Sequence, residues 1–331
     1  MKMIHLKQFI NYLIIFPFIF ATAQPAFTEE IEIPQQELLV WKVDPKPGSI
    51  YSVYILGSYH IGKECQINSP AFEHAFNDAE TIVFEVDSLN DDKLMAQKSQ
   101  QYMIKLIQQK GIPSSSEDSL KGTVEPETYE LLTEKAAAIN FPIDNFARLK
   151  PWVFLFAFTS TQIAQTEYKS ECGLDLMTAK LSESENKATA GLETLDYQLD
   201  KFTDMFISMD EDEMFETISA IAEVESNEEL SNYFSQEFDS LTNTINSGDL
   251  KALESSIDRW CSLDKEECES LLFARNRNWI PQIEQMLNRD RDTLIVVGAG
   301  HLAGEESVIQ LLKQKGYRVR RFHNTFRLTE E

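Results

Sequence analysis

The sequence predicts an α/β fold: a mixed, mostly parallel sheet flanked by helices, with a large helical insertion between the N-terminal and C-terminal strands. Three observations predict it. Apolar runs of strand length cluster at both ends of the chain, within 38–86 and 293–322. The last of them alternate strand, helix and strand, which favours parallel strands with helices on the sheet faces. Between the two clusters, from about 93 to 288, apolar residues recur mainly at helical spacing.

The chain begins with Lys2 and Lys7, an apolar stretch from Phe9 to Phe20, and the small-x-small triplet Ala21-Thr22-Ala23. This is the pattern of a secretory signal peptide, residues 1–23. The stretch is short for a spanning helix, which needs about 20 apolar residues. No later segment is long and apolar enough to span. The expectation is an exported protein, periplasmic or secreted, with no membrane span once the signal is cleaved, and one α/β domain over 24–331.

Leu38–Val43 and Ile50–Leu56 read as a hairpin around the turn Asp44-Pro45-Lys46-Pro47-Gly48. Ser69-Pro70 opens a helix, Ser as cap and Pro in the first position. Thr81–Val86 is the next strand. Helices are expected over Leu94–Gln109, from Pro126 to before Pro142, over Pro151–Ile163 and over Leu174–Leu181. Lys187–Leu192 is a possible strand. One helix is expected over Phe202–Glu225 and another from Glu266 to Leu287. The acidic run Asp210–Glu213 lacks the Gly and Glu positions of a calcium loop and reads as a solvated helix start. Thr293–Val297 reads as a buried strand, Gly304–Lys315 as a helix capped by Gly316, and Tyr317–Phe322 as the last strand.

There are 54 acidic against 30 basic residues, a formal net charge of −24. Such a chain is repelled by phosphate backbones and by anionic membrane surfaces, so no nucleic-acid partner is expected. Nothing in the sequence specifies an oligomeric state. The four cysteines, Cys65, Cys172, Cys261 and Cys268, suggest disulfides in an oxidising compartment, with three possible connectivities. If Cys261 and Cys268 staple one turn, Cys65 and Cys172 bridge distant segments; four unpaired thiols are the alternative. No Cys-x-x-Cys pair exists to suggest a structural zinc.

The chemistry sits where strands end. One strand runs into Gly57-Ser58-Tyr59-His60, another into Gly298-Ala299-Gly300-His301, and Gly62 and Gly304 follow. Gly lets the chain leave a strand sharply and brings backbone close to a ligand. The His is then presented at the carboxyl edge of the sheet, where α/β proteins bind ligands. Glu85 and Asp87 share one face at the end of a third strand, and Glu193 ends the possible inner strand. Two His and one or two carboxylates make a divalent-metal site plausible. His74 reads as a surface residue and His323 as structural.

Taken together, Gly57–His60, Phe84-Glu85-Val86-Asp87, Leu149-Lys150-Pro151-Trp152, Gly191-Leu192-Glu193-Thr194, Arg275-Asn276-x-x-Trp279 and Val297–Leu302 with Gly304 resemble the TraB/GumN family over about 38–322. That family includes the Tiki metalloproteases. The resemblance implies paired Gly-x-x-His motifs around a divalent metal, manganese or cobalt more than zinc. It implies His60, His301 and Glu85 as metal ligands and assigns Arg275 to the motif arginine. The expected activity is an exported metal-dependent hydrolase acting on a peptide or protein substrate. Glu85 serves there as ligand or base, Arg275 stabilises an oxyanion, and Glu193 orients a His or binds metal. The alternative is an exported protein that binds or sequesters peptides in the same cleft without turnover.

Other chemistries fit less well. Gly298–Ala303 matches a dinucleotide fingerprint, but the short remaining chain offers Arg318, Arg320 and Arg321 where that motif wants an acid. A Gly-x-Ser-x-Gly elbow and a His-Glu-x-x-His motif are both absent.

Overall fold

The computed structural model describes residues 33–45, 50–86, 89 and 91–330. The expected signal segment 1–23, residues 46–49 of the hairpin loop and Asp87 lie outside them. Strands β1 (Val40–Val43) and β2 (Val53–Ser58) pair antiparallel, Val43 opposite Val53. Helix α1 (Pro70–Asp78) starts where Ser69 Oγ accepts from the Phe72 N–H and Pro70 takes the first position. It leads into β3 (Thr81–Val86). Helices α2 (Asp92–Leu106), α3 (Leu120–Thr123), α4 (Pro126–Ala138), α5 (Pro151–Ala164) and α6 (Leu174–Ser184) follow, then β4 (Ala188–Glu193). Next come α7 (Leu195–Ser208), α8 (Glu211–Glu223), α9 (Asn227–Asn246), α10 (Leu250–Leu263), α11 (Lys265–Cys268) and α12 (Ala274–Met286). Strand β5 (Thr293–Gly298), helix α13 (Val308–Gln314), β6 (Val319–Phe322) and β7 (Leu328–Thr329) complete the fold.

The sheet has the order β4-β3-β5-β2-β1-β6-β7. Strands β4, β3, β5 and β2 pair parallel to their neighbours. Strand β1 lies antiparallel between β2 and β6. The β5–α13–β6 crossover therefore joins strands that run the same way without touching. All residues of β2, β3 and β5 are buried, as expected for central strands covered on both faces.

The helical insertion is not continuous, because β4 returns to the sheet beside β3. Helix α5 buries Trp152, Val153, Phe154, Leu155 and Phe158 around its circumference. A helix apolar on all sides belongs in a core, and each such side chain contributes about 1.5–3 kcal/mol on burial.

Two expected helices differ. The segment Phe202–Glu225 breaks at Met209, and Asp210 caps α8 by accepting from the Asp212 N–H. Asp side chains compete for backbone donors and favour such starts over helix interiors. The expected helix Glu266–Leu287 carries a π-helical turn over Glu269–Phe273, between α11 and α12. Cys65 pairs with Cys172 and Cys261 with Cys268, one of the three connectivities. Among the described residues no helix is long and apolar enough to cross a membrane.

Candidate functional site

Five sequence candidates meet at the carboxyl edge of the four parallel strands. His60 lies two residues beyond β2, Glu85 is the penultimate residue of β3, and Glu193 ends β4. His301 sits on the 3-10 turn Ala299–Leu302 after β5, and Arg275 enters from the start of α12. Gly57 is in β2, Gly298 ends β5 and Gly300 is in the turn. His74 stands apart on α1 beside Asp78, and His323 bonds Glu37 and Thr329.

His60 is held by a segment of the chain that the motifs did not point to. The Leu174 N–H donates to the Tyr59 carbonyl, and Gly62 and Lys169 exchange both backbone hydrogen bonds. Gly173 packs so closely that a Cβ there would lie 2.4 Å from the His60 carbonyl oxygen. The disulfide Cys65–Cys172 fastens the same two segments. This contact delivers Asp175, whose Oδ2 lies 2.6 Å from His60 Nδ1 while Oδ1 accepts from the Leu176 N–H. The carboxylate accepts a hydrogen bond from Nδ1–H, which directs Nε2 toward the space beside Gly298.

The tautomer of His301 follows from a chain of bonds. Asn276 Nδ2 donates to the Glu306 carbonyl, so its Oδ1 faces His301 Nδ1 at 2.6 Å. Nδ1 therefore carries the proton, and Nε2 accepts from Arg275 Nη1 at 3.3 Å. Burial above all, then the charges of Arg275 and His60, hold His301 down at about 3, against the attraction of Glu85. The imidazole is neutral at any physiological pH. The Trp279 ring lies against it, centroids 4.4 Å apart.

Arg275 is fully buried and all five of its N–H donors are engaged. Nε and Nη2 donate to Glu193, Nη2 also to Glu85 at 2.7 Å, and Nη1 to the Leu271 carbonyl and His301. The Leu271 carbonyl belongs to the π-helical turn, which thus sets the depth of the guanidinium. Glu85 Oε1 accepts from the Gly298 N–H at 2.7 Å, and Oε2 also accepts from Gln198 Nε2 at 2.8 Å. Burial raises the Glu85 carboxyl, but Arg275 first, then the two His and the Gly298 N–H, outweigh it and hold it at about 2. For Glu193 burial wins: its pKa is raised despite Arg275, and Glu85 adds repulsion. Trp279 Nε1 donates to Glu193 Oε1.

The donor chemistry fits a divalent ion. Two imidazoles have Nδ1 anchored by a hydrogen bond and present Nε2, as His ligands commonly do, and an anionic carboxylate stands 3.6 Å from one of them. There is also a cradle. A Cβ on Gly298 would lie 3.3 Å from Glu85 Oε1 and 3.6 Å from His60 Nε2, in the space these groups share. Among the described residues no three His, Cys, Asp or Glu side chains already form a closed ligand cluster.

Asp175, Asn276 and Gln198 were not among the sequence candidates. Asn276 stood beside Arg275 in the quoted motif, which was the one available signal. Asp175 and Gln198 carry none, since each arrives through a tertiary contact.

The model of the TraB/PrgY/gumN family matches residues 39–321. A metalloprotease TIKI homolog from Amphimedon queenslandica is 27% identical over 204 residues, 55% of this chain and 39% of the relative. The chain thus spans about two fifths of the length of the curated relative it matches. No solved structure matches.

Proposed function

The chain belongs to the TraB/PrgY/gumN family, and from that premise we propose that it is an exported, divalent-metal-dependent hydrolase of peptide bonds. The observation that carries the reading is the pair of imidazoles, each fixed through Nδ1, facing one buried carboxylate over Gly298. The likeness to a protein named as a metalloprotease supports the peptide bond as substrate. Two disulfides support export, because such bonds persist in oxidising compartments.

In this reading His60 and His301 would hold the ion, and manganese or cobalt is favoured over zinc. Both Glu85 oxygens already accept hydrogen bonds from Gly298, Gln198 and Arg275, so Glu85 is read as a fixed ligand rather than as the base. When bound, such an ion would supply Lewis acidity and a water of lowered pKa. Arg275 has every donor committed inside the cluster. Ligation through His301 Nε2 would release one Nη1 donor, but the bonds to Glu85, Glu193 and the Leu271 carbonyl remain, so Arg275 is read as a positioning residue that fixes the two carboxylates, in place of the oxyanion role.

The test is calorimetric titration of Mn²⁺, Co²⁺ and Zn²⁺ into the wild type and into His60→Ala/His301→Ala, with peptide cleavage followed with and without chelator. The expected result is stoichiometric binding and chelator-sensitive cleavage, both lost in the variant while it stays folded. No binding to the folded wild type overturns the reading in favour of a peptide-binding protein without turnover.

Gly298→Ala is a sharper probe. Backbone φ at Gly298 is −51°, which any residue adopts, and the nearest contact of the new Cβ is 3.3 Å. The thermal midpoint is expected to change little. Metal affinity is expected to fall at least about tenfold, because the methyl fills the space between ligand and ion. Unchanged affinity in this variant removes that space from the metal site.

A further inference from the structure

Two cavities meet at Ser58 and His60. One is lined in part by Glu85, Asp175 and Gln198. The other, of about 50 Å³, runs from His60 and the Gly298–Gly300 backbone to Ile245 of α9 and to Leu253, Ile257 and Trp260 of α10. No carboxylate, ammonium or guanidinium group among the described residues lines this second cavity, in a chain of net charge −24. Its width is set by Ile257, whose Cδ1 lies 3.3 Å from where a Gly300 Cβ would be.

Ser58 adds a second observation. Its side chain is buried, 2% exposed, and Oγ has no hydrogen-bond partner among the described residues. A buried hydroxyl left this way costs about 1–3 kcal/mol. Ser58 stands opposite Gly298 in the β2–β5 register, at the junction of the two cavities.

We infer that the apolar cavity receives an aliphatic side chain of the peptide substrate beside the bond held at His60, and that Ser58 Oγ bonds the substrate backbone there. The inference rests on the hydrolase reading and gives it a specificity. An acidic side chain entering the cavity would lose its hydration and find no cation. An aromatic one would have to displace Ile257, whose Cδ1 narrows the cavity beside Gly300. A small aliphatic one exchanges water for Ile245, Leu253 and Ile257.

The experiment uses full-length protein labelled at the Ile δ1 methyls and titrated with Ac-Ala-Leu-Ala-NH2, Ac-Ala-Phe-Ala-NH2 or Ac-Ala-Asp-Ala-NH2. The leucine peptide is expected to shift the Ile245 and Ile257 signals, and the other two to leave them in place. Ser256 lies exposed at the rim, so Ser256→Trp closes the mouth without repacking the core, and the shifts are expected to vanish. Ile257→Ala is expected to admit the phenylalanine peptide. Ser58→Ala is expected to weaken the leucine peptide about fivefold. In a peptide library with Mn²⁺, cleavage beside aliphatic residues is expected to exceed cleavage beside acidic ones at least about tenfold, and to lose that bias in Ser256→Trp.

Equal shifts with the leucine and aspartate peptides, no shifts at all, or cleavage without side-chain preference would each overturn the pocket. Leucine-selective shifts with no cleavage under any metal would leave the pocket standing and remove the hydrolase.

Discussion

Arg275→Met is expected to destabilise the fold by about 3–5 kcal/mol, the cost of leaving buried charges without their partner. Arg275 is fully buried, and its guanidinium is the cation that Glu85 and Glu193 share. Met matches the length of the stem, so little of the loss comes from packing. Lys cannot replace it: one ammonium group cannot reach both carboxylates, the Leu271 carbonyl and His301 in the plane of a fork. Arg275→Lys is expected to recover less than half of the loss.

The pH dependence separates this cause from a packing defect, and is best read with chelator present. In the wild type Glu85 titrates at about 2, below its ordinary value. Its ionised form thus stabilises the fold above the ordinary carboxylate range, and that contribution is lost as pH falls toward 2. Without Arg275 burial dominates, and the Glu85 pKa moves above its unfolded value. The folded state then binds the extra proton, and stability falls as pH rises through the new pKa. The variant is therefore expected to gain more stability from pH 7 to pH 5 than the wild type, in which the raised Glu193 alone pulls that way and Glu85 does not. Urea midpoints at the two pH values read the difference. A variant whose change runs parallel to that of the wild type would show that the cluster is not held by this charge.

Much of the site was legible because its residues sit on local patterns. Gly-x-x-His after an apolar run names both the residue and its place at a strand end, and it does so twice. Glu85 stood out as a carboxylate in the run Ile82-Val83-Phe84, where a charge needs a partner. What holds these residues has no local pattern. Asp175 faces His60 because two segments about 110 positions apart are clamped around Gly173, and a sequence carries no trace of which glycine meets which carbonyl. Strand β4 was visible as a short apolar stretch between helices, but its pairing with β3, which brings Glu193 to Arg275, is a matter of sheet order. The same holds for β1. Its apolar residues mark a strand, but nothing local states that it separates β2 from β6. Strand β7 has two residues, too few for a period to show.

Removing the Cys65–Cys172 bridge, as Cys65→Ala/Cys172→Ala, is expected to be the second large loss. It closes a separation of 107 residues, whereas Cys261–Cys268 closes 7. Chain entropy alone assigns about 4.8 kcal/mol to the long loop and about 2.4 kcal/mol to the short one. Both figures are upper values, but their difference is the useful quantity, because the paired Cys261→Ala/Cys268→Ala variant controls for the loss of a disulfide as such. The long bridge also has a local task that the short one lacks. It ties the segment after His60 to the segment before Asp175, beside the Gly62–Lys169 hydrogen bonds. Its loss is therefore expected to raise amide exchange at Gly62, Lys169 and Leu174 beyond the global change, and to weaken metal binding through a loosened His60–Asp175 pair. The short-bridge variant is expected to leave those amides protected. Equal exchange at Gly62 in the two variants would mean that the backbone contacts alone hold His60, with the disulfide acting only on the unfolded chain.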